Sequence, residues 1–125
     1  MSMDDRTRRA LSRGHVIDIT TTGRQTGDPR RIEIVFFNLD GHLYISGMPG
    51  RKRSWLANLE ANPEFTFHLK GAVAADLPAR ARVVTDPAER RPLLEQVARA
   101  WQRTDVDTMV DSSPLVEVEI LDRAA

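Results

Sequence analysis

The chain has 125 residues, about one domain's worth, with 41% apolar and 29% charged side chains, which suits one buried core and excludes a disordered chain. Eighteen basic residues balance eighteen acidic ones, so bulk-charge attraction to nucleic acid is not expected. Cysteine is absent, which removes disulfides, thiolate metal sites and a thiol nucleophile, and no apolar run approaches the ~20 residues of a membrane-spanning helix.

The neutral total is unevenly spread: residues 1–13 carry net +2, residues 14–70 net +1 and residues 71–125 net −3. The segment 1–13 reads as an Arg-rich N-terminal arm, poorly ordered or loosely docked, ahead of one domain over 14–125. It lacks the apolar stretch of a signal peptide, and with no cysteine a cytoplasmic location is expected.

Residues 15–22, rich in β-branched side chains and ending at Gly23, predict a strand, and the Gly- and Pro-bearing stretch 23–29 a turn. Residues 30–38 alternate, with Ile32, Ile34 and Phe36 on one face and Glu33, Val35 and Phe37 on the other. Asp40-Gly41 predicts a hairpin turn into a strand over 42–47. A loop over 48–53 leads into a helix marked by Trp55, Leu56 and Leu59 and ended by Asn62-Pro63.

Residues 64–70 alternate again, with Phe65, Phe67 and Leu69 together, and 73–85 predict a further strand with a bend near Pro78. Asp86-Pro87-Ala88-Glu89 has the form of a capping box with Pro at the first helical position, opening a helix over 87–103. Residues 104–113 read as a loop or short turn, and 114–121 as a last strand. The order β-β-β-α-β-β-α-β with short turns gives an antiparallel sheet: an α+β, mainly β architecture, with six strands as a small barrel and two helices outside it.

His15, His42 and His68 show no metal-ligand spacing, so no metal site is expected, and neither a nucleophile elbow nor a nucleotide-binding glycine loop occurs. What the chain offers is an anion-binding pattern. In the turn Gly23–Arg30, glycines free backbone N–H groups, Thr26 adds a hydroxyl and Arg24 and Arg30 add guanidinium forks. Met48-Pro49-Gly50-Arg51-Lys52-Arg53 precedes a helix, whose N-terminus favours phosphate, although cations there oppose the helix dipole. Singly, each loop reads more readily as a solvated turn; together, on adjacent hairpin ends, they read equally as a site. Trp55 serves either the core or one edge of a planar cofactor. Tyr44 and Ser46 share a strand face and either line a pocket or meet water.

Thr20-Thr21-Thr22-Gly23-Arg24-Gln25-Thr26-Gly27-Asp28-Pro29-Arg30, followed by Trp55-Leu56-Ala57-Asn58-Leu59-Glu60-Ala61-Asn62-Pro63, resembles the deazaflavin (F-420)-dependent nitroreductase and quinone reductase family. The likeness covers residues 15–70, and more weakly the rest through Ser113-Pro114-Leu115-Val116. It implies a flavin-reductase-like split β-barrel. It also implies hydride transfer from reduced coenzyme F-420 to a quinone, enone or nitro compound. By the same resemblance Gln25, Thr26, Pro29 and Arg30 lie along the cofactor's phosphate side. Met48, Pro49, Gly50, Arg51 and Lys52 wrap its phosphate and tail, and Trp55 and Asn58 sit beside its rings. Gln25 stands where the family commonly carries Lys. The relatives' substrate segment corresponds to Ala100–Asp105, which adds Trp101 to Tyr44 and Ser46 as substrate-pocket candidates. Two alternatives stay open: an FMN-binding reductase of the same barrel, or a carrier of a flavin-like or haem-like ligand without turnover. Phe36, Phe37, Phe65 and Phe67 offer more apolar strand surface than one small core needs, which points to a homodimer.

Overall fold

The computed structural model describes residues 4–50 and 53–121. The elements are α1 (Asp5–Leu11), β1 (Val16–Thr22), β2 (Pro29–Leu39), β3 (His42–Ser46), α2 (Ser54–Ala61), β4 (Glu64–Lys70), β5 (Ala74–Val83), α3 (Pro87–Ala100), α4 (Val106–Ser112) and β6 (Leu115–Ile120). The six strands close into an antiparallel barrel in the order β1-β2-β3-β6-β5-β4, with β4 returning to β1 through Asp18 opposite His68.

Period-two alternation divides the apolar residues between two cores. Ile17, Ile19, Phe36, Ile45, Phe67 and Val116 fill the barrel. Phe37, Tyr44 and Leu115 point outward and pack under Leu94, Val97, Met109 and Val110 of α3 and α4. The expected surplus of aromatic strand surface is thus spent within one chain: Phe36, Phe65 and Phe67 inside the barrel, Phe37 under the helices. Asp40 and Gly41 both take positive φ, 55° and 87°, the backbone of the hairpin turn their types favour.

Two segments differ from expectation. Residues 5–11 are helical and docked: Asp4 accepts from the Thr7 amide at 2.7 Å, Leu11 is buried in the barrel core, and Asn38 Nδ2 donates to the Leu11 carbonyl at 2.7 Å. Val106, Met109 and Val110 give residues 106–112 one apolar face, enough for a helix once α3 covers it. There are therefore four helices among the described residues, not two.

β5 runs through Pro78 without a break in register, because Pro78 pairs with Thr66 and its carbonyl accepts from the Leu121 amide at 2.8 Å. α3 starts at its predicted cap, with Asp86 Oδ1 accepting from the Ala88 amide at 3.1 Å. Glu89 does not close the capping box; its carboxylate pairs with Arg82 instead. Arg90 is buried, and its guanidinium donates to the carbonyls of Val84, Met109, Val110 and Ser113. One side chain thereby joins α3 to β5 and to the carbonyl end of α4, where helix polarity favours a cation.

Candidate functional site

A groove of about 380 Å³ opens where β1 ends, β2 begins and α2 starts. Its wall is made by Thr21, Gly23, Arg24, Gln25, Thr26 and Arg30 from the first hairpin, and by Ile32, Ser54, Trp55 and Asn58. Register explains the placement. Thr21 pairs with Arg30, and cross-strand partners share a face. That face is the one carrying Ile17, Ile19, Ile32, Ile34 and Phe36 into the barrel, so a buried hydroxyl and a guanidinium stand at its open end.

The turn itself is closed by its own bonds. Gly23 N–H donates to the Asp28 carbonyl and Gly27 N–H to the Gly23 carbonyl, both at 2.8 Å, and the Asp28 amide donates to Thr26 Oγ1 at 3.2 Å. A Cβ on Gly23 would stand 3.1 Å from both the Asp28 carbonyl oxygen and Thr26 Oγ1, so the tight wall leaves little room for a larger residue. Asn58, 3% exposed, ties this turn to α2. Its Oδ1 accepts from the Arg24 amide and from Arg24 Nη1, and its Nδ2 donates to Thr21 Oγ1, all at 3.1 Å.

The electrostatics suit an anion. No carboxylate lines the groove. Among the described residues no side chain caps α2 and its first turn carries no acidic residue, so the positive end of the helix beside Ser54 is not offset there. Most cations elsewhere are paired: Arg31 and Lys70 with Asp18, Lys70 also with Glu33, Arg80 with Glu64, Arg82 with Glu89 and Glu117, Arg91 with Asp107 and Arg103 with Asp105. Arg30 has no hydrogen-bonded or ion-pair partner among the described residues.

Of the sequence-predicted residues, the groove brings together Gln25, Thr26, Arg30, Trp55 and Asn58. Pro29 lines a separate depression with Thr20, Thr22 and Phe65. Met48, Pro49 and Gly50 are not in the groove wall; Met48 is 45% exposed, its carbonyl accepts from Arg53 Nη2 at 2.7 Å and its sulfur meets Arg103. Arg51 and Lys52 lie outside the described residues.

Of the expected substrate-pocket residues, Tyr44 is core under α3 and α4, Trp101 packs half-buried against the same cluster, and Ser46 is buried opposite Leu115. Burial together with Glu117 and Glu89 pushes the Tyr44 phenol pKa up. Ser46 donates to the Pro114 carbonyl at 2.7 Å, and the Trp101 ring meets Phe37 edge-on at 5.3 Å. Thr21, Ile32 and Ser54 line the groove without having been singled out in the sequence; for Thr21 the signal was its place in step with Ile17 and Ile19.

Similar barrels occur among solved structures, all at low identity. An F420-H2 dependent reductase is 20% identical with a TM-score of 0.59, over 83% of this chain and 93% of that one. The haem storage protein HutZ of Vibrio cholerae is 14% identical with a TM-score of 0.69, over 98% and 93%. A domain-swapped dimer is 20% identical with a TM-score of 0.62, over 92% and 95%. These likenesses establish the fold. The model of the F420H(2)-dependent quinone reductase family matches residues 1–121.

The residues present also fit a coenzyme of that kind. The groove is acid-free, its donors are guanidinium, amide and hydroxyl groups, and Ile32 and Trp55 give it an apolar wall. Its volume lies at the lower end of the ~300–1,000 Å³ usual for small-molecule sites. An acid-free groove at the barrel mouth and a family match across nearly the whole length agree: the chain belongs to the F420H(2)-dependent quinone reductase family, oxidoreductases whose cofactor is coenzyme F-420.

Proposed function

We propose that the protein transfers a hydride from reduced coenzyme F-420 to a small organic acceptor, a quinone in the first instance, with enones and nitro compounds as further candidates. The groove between the first hairpin and α2 holds the coenzyme. The observation that carries this reading is the lining itself: two guanidinium groups, an uncapped helix start and no carboxylate, beside a Trp. When bound, the reduced deazaflavin supplies the hydride. Arg30 and Arg24 bind the coenzyme's anionic groups, with Gln25, Thr26 and Ser54 as neutral donors. Trp55 and Ile32 cover an apolar face and keep water from it. Asn58 holds Arg24 and the turn in place. Among the described residues Arg24 and Arg30 are the only ionisable side chains in the lining, so the wall orients and neutralises, and no side chain in it is assigned a proton-transfer role.

Titration with the coenzyme, read by quenching of Trp fluorescence and assigned with Trp55→Phe, tests the site. Arg30→Ala is expected to raise the dissociation constant roughly ten- to a hundred-fold, the worth of one charge-assisted bond. Oxidation of the reduced coenzyme by a panel of quinones, enones and nitro compounds tests the activity. Absence of coenzyme binding at tens of micromolar would overturn the proposal. Coenzyme binding without turnover on any acceptor would reassign the chain as a ligand carrier, and preferential retention of FMN would reassign it as a flavin reductase. A homodimer and a cytoplasmic location complete the reading, checked by sedimentation and by cell fractionation; no described helix is long and apolar enough to cross a membrane.

A further inference from the structure

Among the described residues five arginines, Arg6, Arg9, Arg13, Arg30 and Arg99, have neither an ion-pair nor a hydrogen-bonded side-chain partner. Arg30 faces the coenzyme groove. Three of the others, Arg6, Arg9 and Arg13, line one groove of about 670 Å³ at the opposite pole of the barrel. Its walls are α1, the lead-in to β1 and the β4–β5 turn, with Ala10, His15 and Val73 between the arginines. β1 runs from this groove to the other; its seven residues set the two about 20 Å apart. The second groove therefore lies beyond the wall that holds the coenzyme.

This clustering is not what the rest of the surface does. Arg8, on the same helix, pairs with Asp5 at 2.9 Å. The remaining nearby carboxylate, Asp4, caps the Thr7 amide and feels the Arg6 charge without forming an ion pair with it. Arg6 sits in the first turn of α1, where positive charge opposes the helix dipole. Arg6 and Arg9 are three residues apart, so they share a helix face. No carboxylate lines the groove. Between the cations Ala10, Ala72 and Val73 give the groove an apolar strip beside His15.

We propose that this groove is a second anion site, which takes a phosphomonoester head carried on an apolar body. Guanidinium forks match the oxygens of a phosphate, three of them more than neutralise a dianionic head, and Ala10, Ala72 and Val73 accept the apolar part. Such a group reaches the protein either as a lipid headgroup in a membrane or as a free amphiphile. The site serves localisation or ligand sensing, apart from hydride transfer.

The test uses short-chain phosphatidate below its micellar concentration, titrated calorimetrically against the full chain and against Arg9→Gln/Arg13→Gln. Saturable binding is expected, at least about tenfold weaker in the double variant, with the unfolding midpoint and the coenzyme affinity unchanged. Should the double variant melt early, Val73→Asp disturbs the same groove from the β4–β5 turn and leaves α1 intact. Flotation with phosphatidylcholine vesicles, plain or doped with phosphatidate, separates the sources: capture by doped vesicles alone marks a membrane headgroup, and no capture beside soluble binding marks a free amphiphile. Absence of saturable binding of the short-chain lipid, whatever the vesicles do, or equal affinity in the variants, would overturn the proposal.

Discussion

Asn58→Ala separates the stitch that shapes the coenzyme groove from the charge inside it. The substitution removes three hydrogen bonds, to the Arg24 amide, to Arg24 Nη1 and to Thr21 Oγ1, from a residue 3% exposed. At about 0.5–1.5 kcal/mol each, and with a buried amide gap left behind, the expected loss is about 2–4 kcal/mol. In a domain of this size that lowers the unfolding midpoint by roughly 8–15 °C, readable by calorimetry. Asn58→Asp is the informative partner. Its carboxylate still accepts both Arg24 bonds, and the Thr21 hydroxyl can turn to donate to it, so most of the stability is kept. It also sets a negative charge in an otherwise acid-free wall, so coenzyme affinity should fall at least about tenfold. An Ala variant that melts with the parent would refute the stitch. An Asp variant that binds the coenzyme as tightly as the parent would remove the coenzyme's anion from this groove.

Arg90→Met keeps the apolar stem and strips four carbonyls of their donor, so chemical denaturation should show a loss of about 3 kcal/mol or more; Arg90→Lys should recover little, since one ammonium cannot reproduce the fork. Ser113 Oγ is buried without a hydrogen-bond partner, so Ser113→Ala should leave the midpoint unchanged or raise it slightly in the same experiment. Lys70 and Arg31 hold the Asp18 carboxyl below its usual 3.8, and His68 does the same for Asp76. Depressed carboxyls stabilise the fold above their unfolded pKa and lose that contribution as pH falls through the folded value, so the midpoint should drop below about pH 3.8 and Asp18→Asn should flatten the drop. On the alkaline side Asp18 and Glu33 raise the Lys70 pKa above 10.5, so the Lys70 contribution is complete below that value and is lost above it.

The strands were legible because a two-residue period survives any tertiary context in which one face is buried: 64–70 coincides with β4, and Ile32, Ile34 and Phe36 enter the barrel as their spacing requires. α1 and α4 were not legible. Each is seven residues long, too short to be stable alone, and each is fixed by docking that a local window does not contain, Leu11 into the barrel and Met109 under α3. The same limit governed the site. Periodicity placed Tyr44 and Ser46 on one face, but which element covers that face depends on α3 and α4, and they make it a core. The hairpin turn and the start of α2 meet because Asn58 reaches across 34 residues to Arg24, a link that the resemblance implied but that no local spacing contains.

Charge shows the point most clearly. A balanced total excluded a broad cationic surface, yet the balance is achieved by partners far apart in sequence: Lys70 with Asp18, 52 residues away, and Arg82 with Glu117, 35 residues away. These pairs lie on the outer faces of the strands and leave that surface locally neutral there. Of the five described arginines without partners, four stand at the two ends of the barrel, Arg30 at one mouth and Arg6, Arg9 and Arg13 at the other. An anion approaching the molecule meets compensated charge along much of the strand wall and uncompensated charge at the poles, so its selection depends on where the pairing stops.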